Sequence, residues 1–106
     1  MLDKLIILDR DGLIIEEGDG YITHPSQIRV KSGAFSVFGS LRLYRIFVEA
    51  MGNFEVVLAT KQRGLSKGLL NRDQLYEIHS HLQELIGFEF DDIYVEPEKE
   101  TKRDLI

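Results

Sequence analysis

Leu5-Ile6-Ile7-Leu8-Asp9-Arg10-Asp11-Gly12 is the segment from which the architecture of this chain follows. Four apolar residues run directly into two carboxylates, and a glycine closes the segment. A continuous apolar run this short is typical of a strand that is buried on both faces inside a parallel sheet. Ligands of open α/β sheets bind at the carboxyl ends of such strands. We therefore expect a buried strand over residues 5–8 and a ligand site directly after it.

Asp9 and Asp11 follow that strand with one residue between them. Side chains two positions apart in an extended chain point to the same side. Two close carboxylates resist joint ionisation unless a cation or a shared proton relieves them. Mg²⁺ meets that need, because it binds carboxylate and phosphate oxygens. The alternative is a strand followed by an acidic turn, since Asp and Gly are common turn residues, and the spacing leaves both interpretations open.

The composition bounds the class of protein. The 106 residues, 43% of them hydrophobic, predict a single domain over residues 1–106 with its own core. The absence of cysteine excludes disulfides and thiolate metal sites. A formal net charge of −5 makes nucleic acid an unlikely partner. Because no signal peptide and no segment of transmembrane length is apparent, we expect a cytoplasmic protein with no membrane partner.

Two further strands and two helices follow along the chain. The strand candidates are residues 54–60 and 91–95, and residues 96–106 form a charged tail. Ser32-Gly33 opens a stretch with apolar residues at helical spacing, which predicts a helix that continues up to Gly52-Asn53. The alternation β–α–β–α–β predicts right-handed crossovers and a parallel, three-layer architecture. All three strands would then end at one edge of the sheet.

The helix boundaries and the outer faces of the helices are also predicted. In the first helix, Phe35, Phe47 and Met51 widen the apolar stripe, so we expect it to be covered on more than one side. Gly52-Asn53 would end it. Asn71, with Gln74 three positions later, is typical of a helix start, and Gly87 of its end. That second helix would cover residues 71–86.

Single polar residues elsewhere have ordinary structural interpretations. His24, in a turn-rich loop before Pro25, is expected to face solvent. His79 lies on the apolar side of the second helix, where a lone histidine is usually packed and hydrogen-bonded. The pair Asp91-Asp92 precedes its strand, at the opposite end from Asp9 and Asp11, and is interpreted as structural.

A hydroxyl and a cationic loop follow the second strand: Thr60-Lys61-Gln62-Arg63-Gly64-Leu65-Ser66-Lys67-Gly68. A hydroxyl and backbone N–H groups donate hydrogen bonds to phosphate oxygens, and Lys or Arg supplies charge. The alternative is a solvated connecting loop. With parallel strands, Thr60 would meet Asp9 and Asp11 at the same edge of the sheet.

Three segments together resemble a known family. Leu8-Asp9-Arg10-Asp11-Gly12 matches a first motif, the strand and loop around Thr60 a second, and residues 90–97 the approach to a third. They resemble the haloacid dehalogenase (HAD) superfamily of phosphohydrolases, and within it the branch of heptose 1,7-bisphosphate and histidinol-phosphate phosphatases. The resemblance implies an α/β, Rossmann-like parallel sheet, here truncated to about three strands and two main helices.

The resemblance also implies roles for individual residues. Asp9 would be the nucleophile that forms an aspartyl-phosphate, and Asp11 the acid that protonates the leaving oxygen and later deprotonates water. Mg²⁺ would be held by Asp9 and by Asp11, the latter through its backbone carbonyl. The candidate phosphate-binding residues are Thr60, Lys61, Gln62, Arg63 and Lys102.

The chain departs from the family pattern at several positions. Lys61 and Arg63 stand where the family has Asn and Ser, and Ile15 replaces an Asn expected after the first motif. Lys102 would have to replace the lysine of the third motif. The fourth motif, whose acids complete the magnesium site and whose strand lies beside the first strand, is missing. We therefore expect a fragment or short form, or a homo-oligomer that covers the apolar edge of the first strand.

Three functions compete at this stage. The first is a Mg²⁺-dependent phosphatase acting on a small phosphorylated metabolite, such as a sugar phosphate or a histidinol-phosphate-like compound. The second is a catalytically weak or inactive domain that binds phosphate or a partner. The third, a phosphatase acting on nucleic-acid ends, is disfavoured by the acidic net charge.

Overall fold

The computed structural model describes residues 2–18, 20–48, 52–96 and 99–100. A short 3₁₀-helix, Pro25–Gln27, lies between the first strand and the first helix. The strands and helices, in chain order, are β1 (Leu2–Asp9), α1 (Ser32–Val48), β2 (Gly52–Lys61), α2 (Arg63–Ser66), α3 (Arg72–Ile86), β3 (Asp92–Glu96) and β4 (Lys99–Glu100).

The four strands form one sheet in the order β1-β2-β3-β4. The pairs β1–β2 and β2–β3 are parallel, which confirms the predicted β–α–β–α–β arrangement. Lys99–Glu100 pairs antiparallel with Ile93 and Tyr94, so part of the predicted charged tail is in fact a strand. A two-residue strand of charged side chains has no apolar alternation by which a sequence could reveal it.

Helices cover one face of this sheet. Along β1, Leu5 is 60% and Ile7 63% exposed, so the prediction of a strand buried on both faces is wrong. In the neighbouring strand, Val56 and Leu58 are fully buried on the opposite face. The strand order runs in one direction, and right-handed crossovers that advance in one direction place their helices on the same face. The described residues thus form two layers, without the second helix layer of the predicted three.

The core lies between that covered face and helices α1 and α3. Phe38 of α1 packs against Phe88 and Phe90, with ring centroids 5.3 and 5.7 Å away. From α3, four apolar side chains and His79 enter the same layer. The buried apolar residues of the sheet are Phe54, Val56, Leu58, Ile93 and Val95.

Helix α1 is apolar around most of its circumference, yet it is covered on one side. Phe35 is 50% and Phe47 72% exposed, so the expected second cover is absent from the described residues. The described part of the helix runs to Val48, and Gly52 and Asn53, which were expected to end it, are the first residues of β2. Met51 lies outside the described residues. No helix in the described ranges combines the length and apolar character needed to cross a membrane.

Both ends of α3 are as predicted. The Asn71 side chain accepts a hydrogen bond from the Gln74 backbone N–H, and the Gln74 side chain accepts one from the Asn71 N–H. Gly87 terminates the helix with a φ of 64°, a conformation that glycine adopts without a Cβ penalty. His79 is 1% exposed and hydrogen-bonded, which confirms its expected packing.

Asp91 fixes the start of β3 against the middle of β2. Its carboxylate accepts hydrogen bonds from the Arg45 guanidinium at 2.8 Å and from the Val56 backbone N–H at 2.7 Å. Arg45 also lies over the Phe88 ring, 4.4 Å from its centroid. The structural interpretation of Asp91 is therefore confirmed. His24 is exposed, as expected, and caps the 3₁₀-helix.

Candidate functional site

The carboxyl ends of β1 and β2 lie side by side. Their parallel register pairs Asp9 with Ala59, so the first acid lies next to the residue that precedes Thr60. Asp9 is exposed at the end of β1, and Thr60 is 4% exposed. The two apolar runs thus point the same way, as predicted, and bring the acids and the hydroxyl to one edge of the sheet.

A tight turn sets the direction of the chain after β1. The backbone N–H groups of Ile14 and Ile15 both donate to the Arg10 carbonyl at 3.0 Å, and the Gly12 N–H donates to the Ile15 carbonyl at 2.8 Å. Gly12 has a φ of 83°, and a Cβ there would lie 2.7 Å from a Glu17 carboxylate oxygen. The turn needs a glycine, and it holds Arg10 and Asp11 in fixed backbone positions.

Arg10 turns inward between the two acids. It is 2% exposed, and its Nε and Nη2 donate to the two carboxylate oxygens of Asp11 at 3.0 and 3.2 Å. Its Nη1 lies 3.0 Å from Nε2 of His79 on α3. No role was predicted for Arg10. Strand alternation could have indicated one. If Asp9 and Asp11 point to the same side, Arg10 between them must point to the opposite side, which here is the core, and a buried arginine needs hydrogen-bond partners.

Gln62 and Thr60 complete this buried network. Gln62 is 2% exposed, and its side-chain oxygen accepts from Arg10 Nη1 at 3.0 Å and Nη2 at 2.8 Å. The same oxygen accepts from the Thr60 hydroxyl at 2.7 Å. A guanidinium can only donate, so this orientation of the amide is the one that satisfies all three groups. Hydrogen bonds therefore link Thr60 to Asp11 through Gln62 and Arg10.

An open cleft of about 290 Å³ lies over this edge of the sheet. Asp11, the exposed cations Lys61 and Arg63, and residues of the loop before the 3₁₀-helix line it. Asp9 and Thr60 are not among its lining residues. The residues that line the cleft are Arg10, Asp11, Glu16, Glu17, Gly18, Gly20, Tyr21, Ile22, Lys61, Gln62 and Arg63.

The loop after Thr60 is partly helical rather than extended. Arg63–Ser66 forms α2, a single turn that is too short to show helical periodicity in the sequence. Gly64 is buried there, and a Cβ on it would clash with a methyl group of Leu70. Lys67, just after α2, places its ammonium 5.4 Å from the centre of the Tyr21 ring, which lines the cleft. The predicted cationic loop therefore faces the cleft from a packed, short helix.

The donor set at this edge fits a magnesium ion that is completed by substrate and water. No group of three or more acid or histidine side chains that could hold a metal occurs among the described residues. The exposed Asp9 carboxylate and the Asp11 carbonyl, which accepts no backbone hydrogen bond from the described part of the chain, remain as oxygen donors. Mg²⁺ is often held by one or two carboxylates with waters and phosphate oxygens. Lys102 lies outside the described residues.

Comparison with known proteins identifies the relatives of this chain. No protein-family model matches it. Over 84 residues, 79% of the chain, it is 31% identical to D-glycero-β-D-manno-heptose-1,7-bisphosphate 7-phosphatase of Bordetella bronchiseptica. The crystal structure of D,D-heptose 1,7-bisphosphate phosphatase from B. bronchiseptica, complexed with magnesium and phosphate, matches 97% of the chain with a TM-score of 0.74 and 29% identity. The chain is homologous to the heptose bisphosphate phosphatases of the HAD superfamily.

This homology covers only part of each relative. The chain spans 42% of the length of the curated relative and 54% of the crystallised chain. Within that part, the HAD fold predicted from the three motifs is confirmed, with three parallel strands in one sheet. The magnesium and phosphate belong to the crystallised relative, and a role for either of them in this chain is a proposal.

Proposed function

We propose that this chain forms the core of a Mg²⁺-dependent phosphohydrolase that removes phosphate from a small phosphorylated metabolite, such as a sugar phosphate or a histidinol-phosphate-like compound. The observation that carries the proposal is the parallel register of β1 and β2, which brings Asp9, Asp11 and Thr60 to one edge of the sheet. The homology to a phosphatase supports it independently.

In this proposal Asp9 is the nucleophile. A carboxylate oxygen of Asp9 forms a bond to phosphorus while the bond from phosphorus to the ester oxygen breaks, and the leaving oxygen takes a proton from Asp11. Water then attacks the aspartyl-phosphate, gives its proton to Asp11, and releases inorganic phosphate and free Asp9. Splitting the displacement in this way replaces one difficult step by two easier ones. Asp9 is exposed at the end of β1, and Asp11 lines the cleft beside it.

The remaining residues of the site bind the phosphoryl group. Lys61 and Arg63 are exposed at the cleft and supply positive charge. The Thr60 hydroxyl donates to Gln62 and must turn its proton away in order to donate to a phosphate oxygen. A magnesium ion held by the Asp9 carboxylate and the Asp11 carbonyl would neutralise charge on the phosphoryl group. Gln62, which lines the cleft, and Lys102 complete the set of proposed phosphate ligands.

The test is phosphate release from 4-nitrophenyl phosphate by the purified chain. We expect release in Mg²⁺, loss of release when a chelator removes the metal, and recovery when excess Mg²⁺ is added back. The recovery step is the control, because a chain that has unfolded or aggregated would not regain activity. Phosphate release at the same rate with and without the metal would contradict the proposed role of Mg²⁺.

A second candidate function is binding of phosphate without turnover. The observation that favours it is that no three acid or histidine side chains in the described ranges are grouped so that they could hold a metal, which leaves one carboxylate and one carbonyl as a sparse magnesium site. Calorimetric titration with inorganic phosphate discriminates the two. Binding by a chain that releases no phosphate from the aryl ester, even with Mg²⁺, would favour the binding domain.

We also propose that a second copy of the chain covers the open edge of β1. Within the described part of the chain that strand pairs only with β2, and its outward side chains Leu5 and Ile7 are exposed. An unpaired apolar edge is a template for association. We expect light scattering after size exclusion to give a mass above that of the 12.2 kDa monomer. Leu5→Lys and Ile7→Lys together should shift the chain towards monomer, and a monodisperse wild-type monomer would contradict the proposal.

A further inference from the structure

The geometry points to Arg10 as a positioning residue that holds the Asp11 carboxyl for proton transfer, with His79 of α3 and Gln62 holding Arg10 in turn. The inference rests on the proposed function, and it assigns to three buried residues a part in the reaction beyond phosphate binding and nucleophilic attack. Neither Arg10 nor His79 touches the reacting atoms in this scheme. Both act through Asp11.

All five N–H groups of the Arg10 guanidinium have acceptors. One donor on Nε and one on Nη2 reach the two Asp11 oxygens, at 3.0 and 3.2 Å. The second donor on Nη2 and one on Nη1 reach the Gln62 oxygen, and the remaining donor on Nη1 reaches His79. A guanidinium has five donors and no acceptor. Arg10 therefore has no donor left for a substrate phosphate, and its charge serves Asp11.

The Arg10 contact also fixes the tautomer of His79. Since a guanidinium cannot accept a hydrogen bond, Nε2 of His79 must accept, and the ring proton must lie on Nδ1. The ring itself is 1% exposed, inside the α3 face that packs on the sheet. The position of α3 is thereby coupled to the orientation of the Arg10 guanidinium at the end of β1.

The two-point contact sets the plane of the Asp11 carboxyl. Two parallel N–H···O bonds from one guanidinium fix the orientation of the carboxyl group, which a single point charge would not do. Each carboxylate oxygen keeps a further lone pair, and the Asp11 side chain is 38% exposed at the cleft. Arg10 thus orients the group that must carry the proton while leaving it accessible to the substrate.

The experiment compares two esters that differ in their need for an acid. Phenyl phosphate has a poor leaving group that needs protonation, whereas 4-nitrophenyl phosphate leaves with little help. A misplaced Asp11 should therefore lower turnover of the phenyl ester more than turnover of the nitrophenyl ester. For Arg10→Lys we expect the ratio of the two kcat values to fall about tenfold or more, part of the 10²–10⁴ that a positioned acid contributes.

His79 offers a matched pair of variants that leaves Arg10 in place. His79→Gln retains an acceptor for Arg10, so the ratio of the two kcat values should stay within about twofold of wild type. His79→Met has similar bulk but lacks that acceptor, so it should lower the ratio as Arg10→Lys does. Ile78→Val, at a neighbouring buried position of α3, is the control for destabilisation alone. It should leave the ratio unchanged.

Each result decides the inference. Equal losses on both esters in Arg10→Lys and His79→Met, or a wild-type ratio in both, would show a structural role only. A wild-type chain that hydrolyses neither ester would overturn the proposed function, and the positioning role with it. Where the variants fail to fold, ¹⁵N NMR of the wild-type His79 ring decides: an unprotonated Nε2 supports the assignment, and a protonated Nε2 overturns it.

Discussion

Replacing Asp9 by Asn is expected to abolish phosphate release while leaving the fold intact. The amide is not a nucleophile towards phosphorus, so no aspartyl-phosphate can form, and its oxygen carries no charge with which to hold Mg²⁺. Loss of a covalent nucleophile typically lowers turnover by several orders of magnitude, and we expect a fall of about 10³-fold or more. Release of phosphate from 4-nitrophenyl phosphate in excess Mg²⁺ measures the effect.

The control for Asp9→Asn is the same substitution at an exposed acid elsewhere. Asp73 lies in the first turn of α3, outside the residues that line the cleft, and Asp73→Asn should keep wild-type turnover. Because Asp9 is exposed at a strand end, circular dichroism and the urea midpoint of Asp9→Asn should match those of wild type. Turnover that survives in a folded Asp9→Asn chain would refute the assigned nucleophile.

The features that were predictable from the sequence are those whose signal is local. The capping pair Asn71 and Gln74 and the terminal Gly87 each carry a hydrogen-bond or backbone requirement within a few residues, and all three are where that requirement places them. The parallel pairing of β1 and β2 follows from chain topology, because a helix of 17 residues between two strands makes a crossover connection the natural one.

The features that were not predicted depend on contacts between parts of the chain that are distant in sequence. An apolar run does not reveal whether one or both faces of its strand are covered, and Leu5 and Ile7 are exposed because the helices share the other face. Arg10 lies between two acids of obvious chemistry, and its partners Gln62 and His79 lie 52 and 69 residues further along the chain. A network of that span has no periodicity or spacing that a single sequence could display.

The aromatic cluster around Phe38 is the second feature at which we expect a substitution to have a large effect, here on the stability of the fold. Phe38 is 1% exposed, and its ring contacts Phe88 at a tilt of 45° and Phe90 edge-on at 89°. Phe88 and Phe90 are themselves 5.8 Å apart, so three rings fill the space between α1, the end of α3 and the sheet. Such pairs add about 0.5–1.5 kcal/mol each beyond the area that they bury.

Phe38→Ala should therefore lower the free energy of unfolding by about 3–5 kcal/mol, the usual cost of removing a buried aromatic ring and leaving a cavity. A domain of this size has about 5–15 kcal/mol in total, so a large share of its stability would be lost. Phe47→Ala removes the same ring from the same helix at a position 72% exposed and should change stability by no more than about 0.5 kcal/mol. Urea unfolding followed by circular dichroism measures both. Equal effects would mean that the outer face of α1 is covered in solution, since only a buried Phe47 would contribute as much to stability as Phe38.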